Sequence, residues 1–169
     1  MRWTLSSRQD PEALPLADRH YNRQKPGTDR FGPPARSLAL LAVRTPSRRA
    51  LWLTSWPFAE YVKHEWAGAW VNSLFRNERA GLSSSLIRDA VAVTRWFWPE
   101  VPSLGMVTFV DETKIRPKAD PGYCYLQAGF VHVGRTKRDG LLAFQLSPDA
   151  MPPPAPPLGA TLALFGGPR

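Results

Sequence analysis

Apolar positions along the chain fall into short runs separated by turn chemistry, with one stretch of helical periodicity among them. "SLALLAVR" (Ser37 to Arg44) and "ALWLTSW" (Ala50 to Trp56) bracket "TPSRR", which predicts a hairpin of two well-buried strands. After "FAEYVKHEWAGA" comes a third strand-like run, "WVNSLFR" (Trp70 to Arg76). The period then changes. Leu82, Leu86, Ala90, Val93 and Phe97 recur at steps of three and four, and Ile87 and Val91 widen the stripe, so an amphipathic helix enters through Gly81 and closes before Pro99. "LGMVTFVD" (Leu104 to Asp111) predicts a buried strand and "GYCYLQAGF" a short helix ending on Gly129 as a left-handed cap. "FVHVGRT" and "LLAFQL", on either side of "KRDG", predict a closing hairpin.

Two segments stand outside this pattern. Residues 22–36, "NRQKPGTDRFGPPAR", combine Pro, Gly and basic side chains, as expected of a long exposed loop of the kind that is either functional or disordered. From Pro148 onward Pro, Gly and Ala dominate; this stretch is excluded from a sheet interior and expected to be an extended arm or disordered, with "TLALF" (Thr161 to Phe165) as a patch that would dock on the domain or a partner. The 169 residues suffice for one domain with a real core. The expectation is a single catalytic domain over 1–147 and a tail over 148–169, of α/β class, with a mixed, mostly antiparallel sheet flanked by helices.

Charge narrows the partners. The 22 Lys and Arg exceed the 14 Asp and Glu by 8, and the excess is spread along the chain, so the surface attracts polyanions and nucleic acid is the natural class. The same charge would also serve solubility alone. Cys124 is the single cysteine, which excludes an intramolecular disulfide framework and a cysteine metal cluster and fits a reducing cytoplasm. No apolar run approaches the ~18 residues that span a bilayer. The first 30 residues carry charges throughout with no signal-like apolar stretch, so a soluble protein that is not exported is expected. No His, Cys and carboxylate set has zinc-like spacing and no structural metal is expected, although a His20 and Asp111 pair would be the place for iron or another divalent ion.

Candidate anion chemistry lies in "RNERAGLSSSLIRDA". The chain turns at Gly81 and offers the free N–H groups of Leu82, Ser83, Ser84 and Ser85 at a helix N-terminus, where the macrodipole favours an anion, with Arg76 and Arg79 supplying charge nearby. An ordinary serine-capped helix would look the same. The stretch resembles the acyl-donor loop of the GNAT superfamily of N-acetyltransferases, Arg/Gln-x-x-Gly-x-Gly/Ala followed by a helix. The motif falls on Glu78-Arg79-Ala80-Gly81-Leu82-Ser83, with an acidic first position and Ser for the second Gly. That resemblance implies acetyl-coenzyme A or a related activated acyl donor, with an aminoacyl carrier left open by the two departures. The superfamily's Tyr-x-x-x-Gly-Phe helix falls on "YCYLQAGF", where Tyr125 stands four residues before Gly129. The family's tyrosine protonates the departing donor group, a task suited to a phenol. Tyr125 as a plain core aromatic is the alternative.

Distant segments read together are similar to the Mom-like phage DNA modification proteins, a divergent branch of the same fold. "ADRHYNRQKPG", "GLSSSLIRDA", "VTFVD" and "YLQAGF" match, in order, that group's His-Tyr-Ser-type segment, Ser-containing helix, strand ending in Asp and Tyr-Gln-Ala-type helix, over roughly residues 14 to 146. The resemblance implies transfer of a small acyl-derived group to adenine in DNA, shielding phage DNA from host restriction, with His20, Tyr21, Asp111 and Tyr125 lining the reaction centre. A conjugated exocyclic amine is a poor nucleophile, so a base must take its proton, and Asp111 or His20 would serve. Asp111 would equally cap a turn at a strand end, and His20 would equally be structural. For DNA, the loop "NRQKPGTDR" with Arg23, Lys25 and Arg30, the pair Arg48 and Arg49, Lys63 and His64, and "KIRPK" with Lys114, Arg116 and Lys118 are the expected contacts. A target adenine would have to be extruded from the duplex. Two rival functions remain: acetyl transfer to a protein or small-molecule amine, and a non-catalytic nucleic-acid-binding module.

Overall fold

The computed structural model describes residues 2–23, 25–33, 35–115 and 120–160. Seven strands form one sheet in the order β1-β2-β3-β4-β5-β7-β6. They are β1 (Trp3–Leu5), β2 (Ser37–Thr45), β3 (Arg48–Ser55), β4 (Trp70–Glu78), β5 (Met106–Val110), β6 (Val131–Arg135) and β7 (Leu142–Leu146), with helices α1 (Leu14–Asp18), α2 (Ser83–Phe97) and α3 (Tyr123–Gln127). Every neighbouring pair is antiparallel except β4 and β5, so the expected mixed, mostly antiparallel α/β architecture is present.

The two sheet faces bury different partners. On one, α2 lays Leu86, Ile87, Ala90, Val91 and Val93 against Trp3, Leu40, Trp52, Trp70 and Met106, joined by Tyr125, Phe130 and Phe144. On the other, Leu16 and Ala17 of α1 and Phe31 of the long loop cover Leu41, Leu51, Leu53 and Leu74. Phe31 therefore anchors a loop whose other described residues are largely exposed. The sequence reading assigned neither β1 nor α1. Both matter to the site, because α1 delivers the segment 19–23 to β4.

After a 3-10 turn at Pro148–Ala150, segment 151–160 runs as an arm lying on the domain. Met151 enters the core. Arg95 on α2 donates to the Pro152 carbonyl, the Ala155 N–H to that of Ala92 and the Leu158 N–H to that of Trp3. The arm thus satisfies backbone groups by cross-contacts while its prolines stay out of the ladder, as proline's missing N–H requires. The "TLALF" patch lies outside the described residues. No helix of the described residues is long and apolar enough to cross a membrane.

Candidate functional site: a cleft where β4 and β5 part

β4 and β5 pair only over Trp70, Val71 and Asn72 against Met106, Val107 and Thr108. Beyond that point β4 runs on to Glu78 along β3 alone, and β5 turns to β7. A bulge marks the parting: the β3–β4 register steps from Leu53–Leu74 to Thr54–Asn72, leaving Ser73 as the extra residue. The bulge resets the strand's phase. Trp70 and Phe75, five positions apart, reach the same α2-side core, an odd spacing that a regular strand forbids.

The opening is a cleft of about 140 Å³, at the carboxyl ends of the parallel pair, where open sheets collect ligands. Ser73, Leu74 and Phe75 form one wall, Thr108, Phe109 and Val110 the other; Gly122, Cys124 and Tyr125 of the α3 region and His20, Tyr21 and Asn22 complete it. Gly122 is required where it stands. Its φ is +76°, and a Cβ there would come within 2.2 Å of the Phe144 ring.

Tyr125 is 8% exposed, and its hydroxyl donates to Asn72 Oδ1 at 2.6 Å. Thr108 Oγ1 donates to the Asn72 carbonyl at 2.9 Å and lies 3.3 Å from Oδ1. Asn72 Nδ2 in turn donates to the carbonyls of Leu53 and Leu74 on the two sides of the bulge. Those two acceptors fix which end of the amide faces the phenol. Burial, with Cys124 and Tyr21 adding smaller effects, pushes the Tyr125 phenol well above its ordinary range, so it stays protonated at neutral pH.

The segment from α1 is strapped onto the free edge of β4. Asn22 Nδ2 donates to the Ser73 carbonyl at 2.7 Å, and Arg76 donates to the Arg19 carbonyl. His20 accepts the Asn22 N–H at Nδ1. Its ring stacks on Tyr21, with centroids 4.5 Å apart. Burial, helped by the charge of Arg76, lowers the His20 pKa to about 4. The imidazole is therefore neutral at pH 7, with Nδ1 engaged by the Asn22 N–H. Tyr21 sits at the mouth, and burial raises its pKa. Asp111 itself lies at the rim: its Oδ1 accepts from the Thr113 N–H at 3.0 Å and from Oγ1 at 2.6 Å, capping the turn Glu112–Lys114, and these bonds hold its carboxyl below the usual range. His20, Tyr21 and Tyr125 thus converge on one cleft and Asp111 stands at its edge.

The expected anion loop is built differently from the cleft. Asn77 closes it, accepting the Ala80 N–H and donating to the Gly81 carbonyl and to Ser83 Oγ. Arg79 is exposed with a left-handed φ of +61°. Gly81 has an ordinary φ, but the Arg2 guanidinium lies against it where a Cβ would be. Leu82 is exposed; Ser83, Ser84 and Ser85 begin α2, whose first helical bond is from the Leu86 N–H to the Leu82 carbonyl. Arg76 is committed elsewhere: with Arg19 it grips Glu78, at 2.7 and 2.6 Å, and the two guanidiniums bring that carboxyl down to about 2. Glu78 and Arg76 therefore fasten the strap instead of facing a ligand.

Of the expected DNA contacts, Arg23 turns inward: it is 5% exposed, pairs with Asp18 and donates to the carbonyls of Thr28 and Arg30, so it shapes the loop. Lys25, Arg30, Arg48, Lys63 and Lys114 are exposed. His64 accepts the Trp66 N–H and packs its ring on Phe109, a cleft wall, at 5.0 Å. Arg116 and Lys118 lie outside the described residues. Sequence reasoning passed over Asn72, Ser73 and Thr108. The available signal was two polar residues within "WVNSLFR", a run otherwise apolar enough to be buried.

Comparison of the chain with protein-family models, curated proteins and solved structures finds no match.

Proposed function

We propose that the chain is a transferase that moves a small acyl-derived group from an activated donor to the exocyclic amine of a base in DNA, adenine being the base implied by the resemblance to Mom-like proteins. The observation that carries the reading is the buried Tyr125 hydroxyl, hydrogen-bonded to Asn72, at the floor of the cleft where the parallel strands part. At about 140 Å³ the cleft is smaller than the roughly 300–1,000 Å³ of common ligand sites. It suits the reacting end of a donor, with the rest of the donor and the acceptor base outside. In this mechanism the Tyr125 hydroxyl turns its single O–H from Asn72 Oδ1 to the departing atom and stabilises it by a hydrogen bond, its raised pKa keeping the proton in place. With His20 Nδ1 engaged by the Asn22 N–H, the second carboxylate oxygen of Asp111 is the assigned acceptor for the amine's proton. His20 and Tyr21 position the mouth.

Nucleic acid is favoured as acceptor by the net charge of +8 and by where exposed cations fall. Lys25 and Arg30 follow cleft-lining Asn22, Lys114 precedes cleft-lining Ile115, and Lys63 adjoins His64, which packs on Phe109. Phosphate contacts there would hold DNA around the cleft. The donor is a coenzyme A thioester or another activated acyl carrier. The test is mass spectrometry of nucleosides from DNA of bacterial cells producing the protein. A mass-shifted nucleoside is expected; unmodified nucleosides throughout, with the protein folded and abundant, would refute transfer to DNA.

A further inference from the structure

The hydroxyls lining the cleft are not equally provided for. Tyr125 donates to Asn72 and Thr108 donates to the Asn72 carbonyl. Ser73 Oγ is also buried, yet has no hydrogen-bond partner in the structure. A buried hydroxyl left unpaired costs about 1–3 kcal/mol, and a chain bears that cost where a ligand supplies the missing partner. Ser73 is also the residue inserted by the β4 bulge, and bulges beside active sites re-aim a side chain. Its own carbonyl is held by Asn22, and its neighbour Asn72 is fixed from both sides. Ser73 is therefore a rigidly placed donor with nothing to donate to.

The lining supplies a second constraint. None of the residues forming the cleft carries a formal charge at neutral pH: His20 is held neutral, and the others are Tyr21, Asn22, Ser73, Leu74, Phe75, Thr108, Phe109, Val110, Ile115, Gly122, Cys124 and Tyr125. An unpaired carboxylate or ammonium entering such a site would lose hydration without compensation. We infer that Ser73 is a catalytic residue whose hydroxyl donates to the carbonyl oxygen of the transferred group, and that this group is small and uncharged. The inference rests on the reading of the cleft as the acyl-holding site. As the amine nitrogen bonds to the carbonyl carbon, the C=O pair moves onto oxygen, where the Ser73 O–H meets the developing charge. When the pair returns, the bond to the departing atom breaks. The departing atom leaves with that bond's electrons, hydrogen-bonded by a Tyr125 O–H that has turned from Asn72, and is protonated by water; the amine's proton passes to Asp111.

The probe is acetamide, an uncharged carbonyl compound, titrated into the ¹⁵N-labelled chain, with acetate as the charged counterpart. Acetamide is expected to shift the amide signals of residues 73–75, 108–110 and 122–125, and acetate is not. Ser73→Ala is expected to weaken acetamide binding about fivefold to tenfold, the value of one hydrogen bond of about 1–1.4 kcal/mol. Because the substitution removes an orphaned hydroxyl, its midpoint of denaturation should equal or exceed that of the wild type. Unchanged acetamide affinity in Ser73→Ala, equal binding of acetate at the same residues, or a clear loss of stability would each overturn the inference. Unmodified DNA in producing cells would refute the transferase reading and leave the acetamide result standing, so the two failures are distinguishable.

Discussion

Trp70 to Asn72 and Ser73 to Glu78 are consecutive parts of one strand with opposite surroundings. The first part is paired on both sides, to β3 and β5, and its backbone groups are spent in the ladder. The second is paired to β3 alone. On its open side the Ser73 carbonyl is met by Asn22 of the strap, and Arg76 and Glu78 are tied to Arg19. A sheet that parts must replace ladder bonds by other donors. Here the replacements are side chains from a distant segment, and the room left between them is the cleft. The anion loop at the end of the same strand shows the converse: Asn77 bridges it locally, and no buried side-chain nitrogen or oxygen there lacks a partner.

The comparison can be broken most severely at the cleft floor. Tyr125→Phe should lower transfer by about a hundredfold or more while leaving a folded protein, read as modified nucleoside per unit time. Next, Asn72→Leu should cost about 3 kcal/mol in chemical denaturation, since it orphans the Leu53 and Leu74 carbonyls. Val71→Ala, in the fully paired half, should cost only about 1 kcal/mol. Equal losses would mean the bulge network does no more than an ordinary ladder position.

The strap carries a pH signature. His20 has its pKa lowered to about 4 from 6.5, so between those values the unfolded chain binds the proton and the folded one does not. Its contribution is present above pH 6.5 and lost as pH falls toward 4, by up to about 3 kcal/mol. His20→Gln should flatten the denaturation free energy over that window. The Glu78 contribution, its pKa brought from 4.5 to about 2, is lost in the separate window below pH 4.5. The smallest effects belong to the surface: replacing Lys63 or Lys114 by Ala should each reduce the salt dependence of DNA binding by about one counterion, measured by fluorescence anisotropy. Replacing the inward-turned Arg23 should act through loop stability instead.

Much of the scaffold was legible because it is periodic. The "SLALLAVR" and "ALWLTSW" hairpin, the three-four spacing of α2 and the short helix closed by Gly129, with φ +101°, all stand where the pattern puts them. β1 has three residues and α1 five with a proline at its start, too few for a period to register. At the site, His20, Tyr21, Asp111 and Tyr125 were reached through resemblance, and Asp111 caps the turn after β5 with one carboxylate oxygen. Asn72, Ser73 and Thr108 were illegible for a physical reason: their role depends on a bulge and on strands parting, both properties of pairing between segments some 35 residues apart.

Cys124, the only cysteine in the chain, lines the cleft and allows the central claim to be tested by filling it. Methyl methanethiosulfonate converts the thiol to a small mixed disulfide, its extent followed by intact mass. With Cys124 fully converted, DNA modification should be abolished and DNA affinity unchanged. Undiminished modification by the fully converted protein would contradict the assignment of this cleft as the reaction centre.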